Sequence, residues 1–284
     1  MLSLRNGGAV LDLLPEIGGA VGRFAAGGGD ILRPATPGAT DGLQTACFPL
    51  VPFVNRIACG RFEFRGEVVQ LPRNFGDHPH VLHGQGWQSP WQVAAHSAAA
   101  ATLAFDHPAG DWPWAYEALQ VFTLMPRALR IELTLANRAA RPMPYSLGFH
   151  PYFERTPLTV LRADVAGVWL SDDTAIPTGR AGPAHFLDLA KGAPLAAAPF
   201  VDHAHFGWQH RLRIDQPDRG RALEVRSELD FLHLFVPTGA DYFCAEPNSA
   251  MPDALNRAAQ SDSGLRVLHA GETVSATMTV ALVV

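Results

Sequence analysis

Ala128-Leu-Arg-Ile-Glu-Leu-Thr-Leu-Ala-Asn-Arg138 decides the fold. Leu129, Ile131, Leu133 and Leu135 recur at period two, with Arg130, Glu132 and Thr134 between them. In an extended chain successive side chains point to opposite faces, so this spacing makes a strand with one apolar and one polar face. Such a strand belongs to an antiparallel sheet that covers a core on one side only. The segment 273–282 repeats the pattern: Val274, Ala276, Met278, Val280 and Leu282 share one face, and Thr273, Ser275, Thr277 and Thr279 take the other. Turn signals fall between neighbouring strand patterns at Arg65-Gly66, Pro126-Arg127 and Asp218-Arg219-Gly220, where short polar or glycine-bearing loops close hairpins. The alanine-rich stretch 94–104 reads as two strands around a turn.

Composition agrees. The chain has 284 residues, with 26 glycines and 23 prolines, roughly one residue in six where about one in eight is usual. No collagen-like period accompanies them, so they mark many turns between short elements. With 22 Lys and Arg against 27 Asp and Glu, a net charge of −5 and only 17% charged residues, neither a nucleic-acid arm nor a polybasic membrane anchor is expected. No run of about 18 apolar residues and no secretory leader pattern is seen, so a cytoplasmic protein is expected. Cys47, Cys59 and Cys244 are odd in number and lack CxxC spacing, which predicts buried, reduced thiols. No repeat or linker divides the chain, and one large antiparallel β domain over 1–284 is the economical reading.

Four segments are denser in polar and aromatic residues than a β scaffold needs. In 47–57, two prolines stiffen an apolar run that ends in Asn55-Arg56, and an arginine there can give paired hydrogen bonds to ligand oxygens. In 74–84, His78, His80 and His83 crowd beside Asp77. The His78-x-His80 spacing invites a metal, but no Glu follows, so no metal is expected; His83, beside Gly84, can instead meet a polyhydroxylated ligand whose close approach glycine permits. In 146–153, His150 is boxed by Phe149, Tyr152 and Phe153, a setting that tunes its pKa. In 242–256, Glu246 ends an apolar strand, where a carboxylate with a raised pKa can act as a general base.

Taken in order, these segments resemble the aldose 1-epimerase, or mutarotase, family. The resemblance rests on Asn55-Arg56, Leu82-His83-Gly84, His150-Pro151-Tyr152-Phe153, Asp202 and Glu246-Pro247, and spans about residues 45 to 256. It implies a large antiparallel β-sandwich, the supersandwich of the galactose mutarotase type, with an open sugar cleft and no cofactor. It further implies that Glu246 takes the proton of the C1 hydroxyl and His150 protonates the ring oxygen. The ring opens to the aldehyde, the C1–C2 bond rotates, and reclosure gives the other anomer. Arg56 and His83 would hold the ring oxygen and neighbouring hydroxyls, with Asp202 and Asn55 also at the sugar. His233 stands where galactose-acting members carry a Gln, and Gly-Phe-His150-Pro-Tyr-Phe replaces their Asn-His-Thr-Tyr-Phe; both bear on which sugar is used. Trp208 is expected to stack on the sugar face, ahead of Trp87 and Trp91.

The expected partner is a small free aldose, with no nucleic acid or membrane, for a monomer or homodimer. Four alternatives remain at this level: a glycoside hydrolase using Glu246 and Asp202 as a carboxylate pair, a non-catalytic carbohydrate-binding domain, a metal-dependent isomerase, and a hexose-6-phosphate 1-epimerase in which Arg61 or Arg73 serves the phosphate.

Overall fold

Period-two alternation becomes a strand only if its apolar face finds a second layer, and here it does. The computed structural model describes residues 1–283. In it Ala128–Asn137 lies between Tyr116–Met125 and Thr273–Leu282, antiparallel to both. These belong to a nine-stranded sheet. Leu129, Ile131, Leu133 and Leu135 are fully buried, while Thr134 on the opposite face meets Ser275 Oγ at 2.8 Å near solvent. The hairpins at Arg65-Gly66, Pro126-Arg127 and Asp218–Gly220 join antiparallel neighbours as expected. The alanine-rich stretch splits into Gln92–His96 and Ala100–His107, paired antiparallel.

A second, eleven-stranded sheet faces the first. Its middle runs Cys47–Leu50, Gly148–Glu154, Tyr242–Asn248, Phe231–Val236 and Val201–Phe206, all antiparallel. Phe149, Phe153, Leu232, Leu234, Phe243 and Ala245 from this sheet join Leu129, Ile131, Leu133, Met278 and Val280 from the other in one apolar core. The result is an antiparallel β-sandwich. The outer face of the eleven-stranded sheet is not a plain polar surface: Phe48, Trp87, Tyr152, Trp169, Phe231 and Cys244 form a second apolar cluster there. Helix is confined to short 3-10 turns among the described residues, and no helix is long and apolar enough to cross a membrane.

One expectation about the cysteines is corrected. Cys47 and Cys244 are buried, but Cys59 is exposed, because it sits in a tight turn with φ of 52° between Ile57 and Arg61 rather than inside a strand.

The deciding alternation can be checked by truncating each face. Leu133→Ala removes a fully buried side chain and is expected to cost about 2–5 kcal/mol in urea unfolding. Thr134→Ala, one residue along, loses only an exposed cross-strand pair and is expected to cost at most about 1 kcal/mol. Equal losses at both positions would contradict the assigned faces.

Candidate active site

The same alternation that buries Phe243 and Ala245 between the sheets turns Cys244 and Glu246 to the outer face of the Tyr242–Asn248 strand. Register then chooses their neighbours. Gly148 pairs with Asn248 and Tyr152 with Cys244, which brings His150 level with Glu246 on one side. On the other side His233 lies directly opposite Glu246. His150 Nε2 and Glu246 Oε1 are 3.2 Å apart, in side chains that are 8% and 2% exposed. The strands approach this closely only because residue 148 is glycine: a Cβ there would sit 2.0 Å from Asn248 Oδ1. Phe48, in register with His150 on the next strand, stacks on its ring at 4.4 Å between centroids, and Tyr152 lies at 4.9 Å. The expected box of Phe149, Tyr152 and Phe153 is therefore corrected. Phe149 and Phe153 face the inter-sheet core, and Phe48 takes their place.

Asn55, Arg56, Asp202 and His233 close into a ring of hydrogen bonds. Asn55 Oδ1 accepts from the Arg56 backbone N–H and from Arg56 Nη1, both at 3.0 Å. Arg56 Nη2 donates to Asp202 Oδ2 at 2.9 Å. Asp202 Oδ1 accepts from His233 Nε2 at 2.7 Å. The Asn55 amide, its oxygen held by the arginine, turns its Nδ2 toward His233 Nδ1 at 3.4 Å. Asn55 has φ of 54°, a left-handed conformation that asparagine tolerates better than most residues. That turn lets the Asn55 backbone N–H donate to His83 Nδ1 at 3.1 Å, tying the ring to a further histidine.

His83 packs edge-on to His150, ring centroids 5.4 Å apart, and edge-on to Trp87. Glycine at position 84 has a different reason from the one expected. Its φ is 73° and a Cβ would lie 2.2 Å from the Val51 carbonyl oxygen, so it admits the protein's own backbone. His78 and His80 do not converge with His83. His80 accepts from the Cys59 N–H and meets Thr174 Oγ1. Trp208 is also corrected. Its indole belongs to the inter-sheet core and donates to the Arg211 carbonyl, because the chain has turned at Gly207 and left the strand that carries Asp202. Trp87, which packs with Phe48 on the cleft side, is the tryptophan beneath the site, and Trp91 lies in the core. Phe48 and Cys244 were missed by sequence reading, although both sit at even spacing from Leu50 and Glu246.

Burial dominates the electrostatics. It pushes the Glu246 carboxyl up to about 7, against the opposing charges of His233 and Arg56. It drives His150 down to about 3, with Asp202 pulling the other way, and holds His83 well below the usual imidazole range. Asp202 goes in the opposite direction. Burial alone would raise it, but the His233 hydrogen bond and the Arg56 guanidinium outweigh that and keep it below the usual carboxylate range. The site thus holds two carboxyl groups with separated proton affinities, a pattern associated with acid and base roles. Glu246 Oε2 and His150 Nδ1 are buried without hydrogen-bond partners. His150, Cys244 and Glu246 present donor atoms all within 4.8 Å of one another, a spacing that could gather around a metal ion.

A cleft-face histidine beside a buried glutamate, on an oversized antiparallel sandwich, defines a class that comparison with known proteins identifies. The aldose 1-epimerase family model matches residues 1–281, and the chain belongs to that family. It is 33% identical over 292 aligned positions to the uncharacterized protein YphB of Escherichia coli (strain K12), covering 97% of this chain and 96% of that one. A crystal structure from Escherichia coli K12 superposes with a TM-score of 0.90 at 30% identity, covering 99% and 97% of the two chains. The galactose 1-epimerase of Lactobacillus acidophilus NCFM shares the fold, with a TM-score of 0.80 at 17% identity and coverage of 99% and 93%.

The raised Glu246 value has a consequence for stability. An acid whose folded pKa lies above its unfolded one favours the fold while protonated, and that contribution is lost as pH rises from about 4.5 through about 7. At 1.36 kcal/mol per unit the difference is about 3 kcal/mol. Glu246→Gln is therefore expected to gain about 3 kcal/mol relative to the unsubstituted protein between pH 4.5 and pH 8, measured by urea unfolding. A gap that does not change with pH would contradict the assignment.

Proposed function

We propose that the protein interconverts the α and β anomers of a free aldose by acid and base catalysis at Glu246 and His150, with no metal and no covalent intermediate. The observation that carries this is the 3.2 Å approach of His150 Nε2 to Glu246 Oε1 on the outer face of the eleven-stranded sheet. Glu246 takes the proton of the C1 hydroxyl while His150 gives one to the ring oxygen as the C1–O bond breaks. Rotation about C1–C2 presents the other face of the aldehyde, and the two roles reverse on closure.

This chemistry needs Glu246 charged and His150 protonated, whereas burial favours the proton on the carboxyl. A sugar that sets its C1 hydroxyl against Glu246 and its ring oxygen against His150 supplies hydrogen bonds that stabilise both charged forms. Asp202 assists by raising the proton affinity of His150. Arg56, Asp202, His233 and His83 bind the sugar's oxygens, and Asn55 orients Arg56 and His233. A hydrolase reading has less support: the nearest titratable partner of Glu246 is an imidazole, and Asp202 has both oxygens engaged by Arg56 and His233.

Polarimetry from a single pure anomer tests the proposal. The protein is expected to speed the approach to equilibrium rotation. Glu246→Gln and His150→Asn are each expected to slow it by about 100-fold to 10,000-fold in folded protein. If both variants kept the full rate, the assignment would fall. The chemistry needs Glu246 ionised and His150 protonated in the same molecule, so kcat/KM follows the singly protonated pair and is expected to be level between about 3 and about 7 and to fall about tenfold per pH unit above that. A kcat/KM that rises through pH 7 and stays high above it would contradict the paired roles of Glu246 and His150.

A further inference from the structure

Cys244 lies two residues before Glu246 on the same face of the same strand, and the sugar chemistry above has no step for it. Its sulfur, a His150 nitrogen and a Glu246 oxygen lie within 4.8 Å of one another. Two atoms of that trio's side chains, Glu246 Oε2 and His150 Nδ1, are buried and unpartnered. We propose that Cys244, His150 and Glu246 form a binding site for a thiophilic divalent cation of the zinc type, which takes the place of the sugar's anomeric centre and stops turnover. The inhibition rests on the epimerase reading; the binding does not.

The donor set fits that class of ion. One sulfur, one imidazole nitrogen and one carboxylate oxygen suit a borderline-soft metal, and three protein ligands leave a fourth position free. Bonds of about 2.0–2.3 Å in a tetrahedral site put ligand atoms about 3.5 Å apart, so the side chains need to draw in by about 1 Å. Charge also balances: a thiolate and a carboxylate together offset a divalent ion in a site that excludes water. Magnesium and calcium, which prefer six or more oxygen ligands, are excluded by the same donor set.

Protonation sets the conditions for binding. A metal takes the thiolate and the unprotonated imidazole, so binding sends the Cys244 thiol proton to solvent. Affinity is therefore expected to tighten as pH rises.

Cadmium is the probe, because its thiolate complex absorbs in the near ultraviolet. Cys59→Ser serves as the background, since Cys59 is the exposed thiol. In that background one equivalent of cadmium is expected by equilibrium dialysis, with the thiolate band, tighter at pH 8 than at pH 6 and displaced by excess galactose. Adding Cys244→Ala is expected to abolish the band and weaken binding at least tenfold, while single-anomer turnover persists and becomes insensitive to cadmium and zinc. Should Cys244→Ala fold poorly, Glu246→Gln is expected to weaken binding while keeping the thiolate band at saturation. No stoichiometric binding in the folded background protein, or binding undiminished by Cys244→Ala, would overturn the proposal. One tightly bound cadmium in a protein that never accelerates mutarotation would uphold the site and reject the epimerase reading.

Discussion

Glu246 sits on a central strand of the eleven-stranded sheet with its side chain 2% exposed, so burial leaves its charge poorly solvated and its behaviour depends on what the two flanking strands place beside it. The register supplies His150 from one neighbour and His233 from the other. A slip of one residue in either pairing would turn Glu246 into the inter-sheet core or replace a histidine with an apolar partner. Gly148 makes the close pairing possible, since a side chain there would collide with Asn248. The rest of the sandwich can be understood as the frame that holds this register. The nine-stranded sheet buries the inner faces of the same strands, and each fully buried leucine or phenylalanine adds about 1.5–3 kcal/mol to the alignment.

A second constraint keeps the surrounding polar groups in place. Asn55, Arg56, Asp202 and His233 come from three separate parts of the sequence, yet each satisfies the next. Buried polar groups that are fully paired rigidify a site, whereas a partly paired set would cost stability. The unpartnered atoms are the informative exception. Glu246 Oε2 and His150 Nδ1 are left without protein partners, beside a ring in which Asp202 and His233 are engaged. Such a site is prepared for an incoming group, and burying a carboxyl with an unpartnered oxygen costs stability.

Much of this was legible in the sequence, and the reasons differ by feature. Strands with one apolar face announce themselves by period two, so the antiparallel sheet followed from 128–138 and 273–282, while the sandwich came from the family resemblance. Glu246 and His150 were readable because polar residues interrupt apolar strands there, and His83 from its place beside Gly84, whereas Asp202 and His233 came only from the family resemblance; the structure gathers all five. What stayed hidden was long-range. Which aromatic covers His150 depends on the pairing of Cys47–Leu50 with Gly148–Glu154, about a hundred residues apart, so Phe48 could not be separated from Phe149 and Phe153. Trp208 was misplaced because the turn at Gly207 moves the chain off the strand that carries Asp202, a change invisible in local pattern. Gly84 was identified as a close-approach position, but the approaching group is the Val51 carbonyl, a contact that depends on tertiary structure.

The account comes down to one dry carboxyl whose proton affinity is set by strand register. Carbon-13 NMR of side-chain-labelled protein, with the Glu246 signal assigned by its loss in Glu246→Gln, measures that affinity directly in the sugar-free state. The account predicts a Glu246 carboxyl titrating near 7, apart from the ordinary glutamates. A midpoint near 4.5 would mean that the carboxyl is solvated, and would contradict the burial and the pairing on which the proposed chemistry rests.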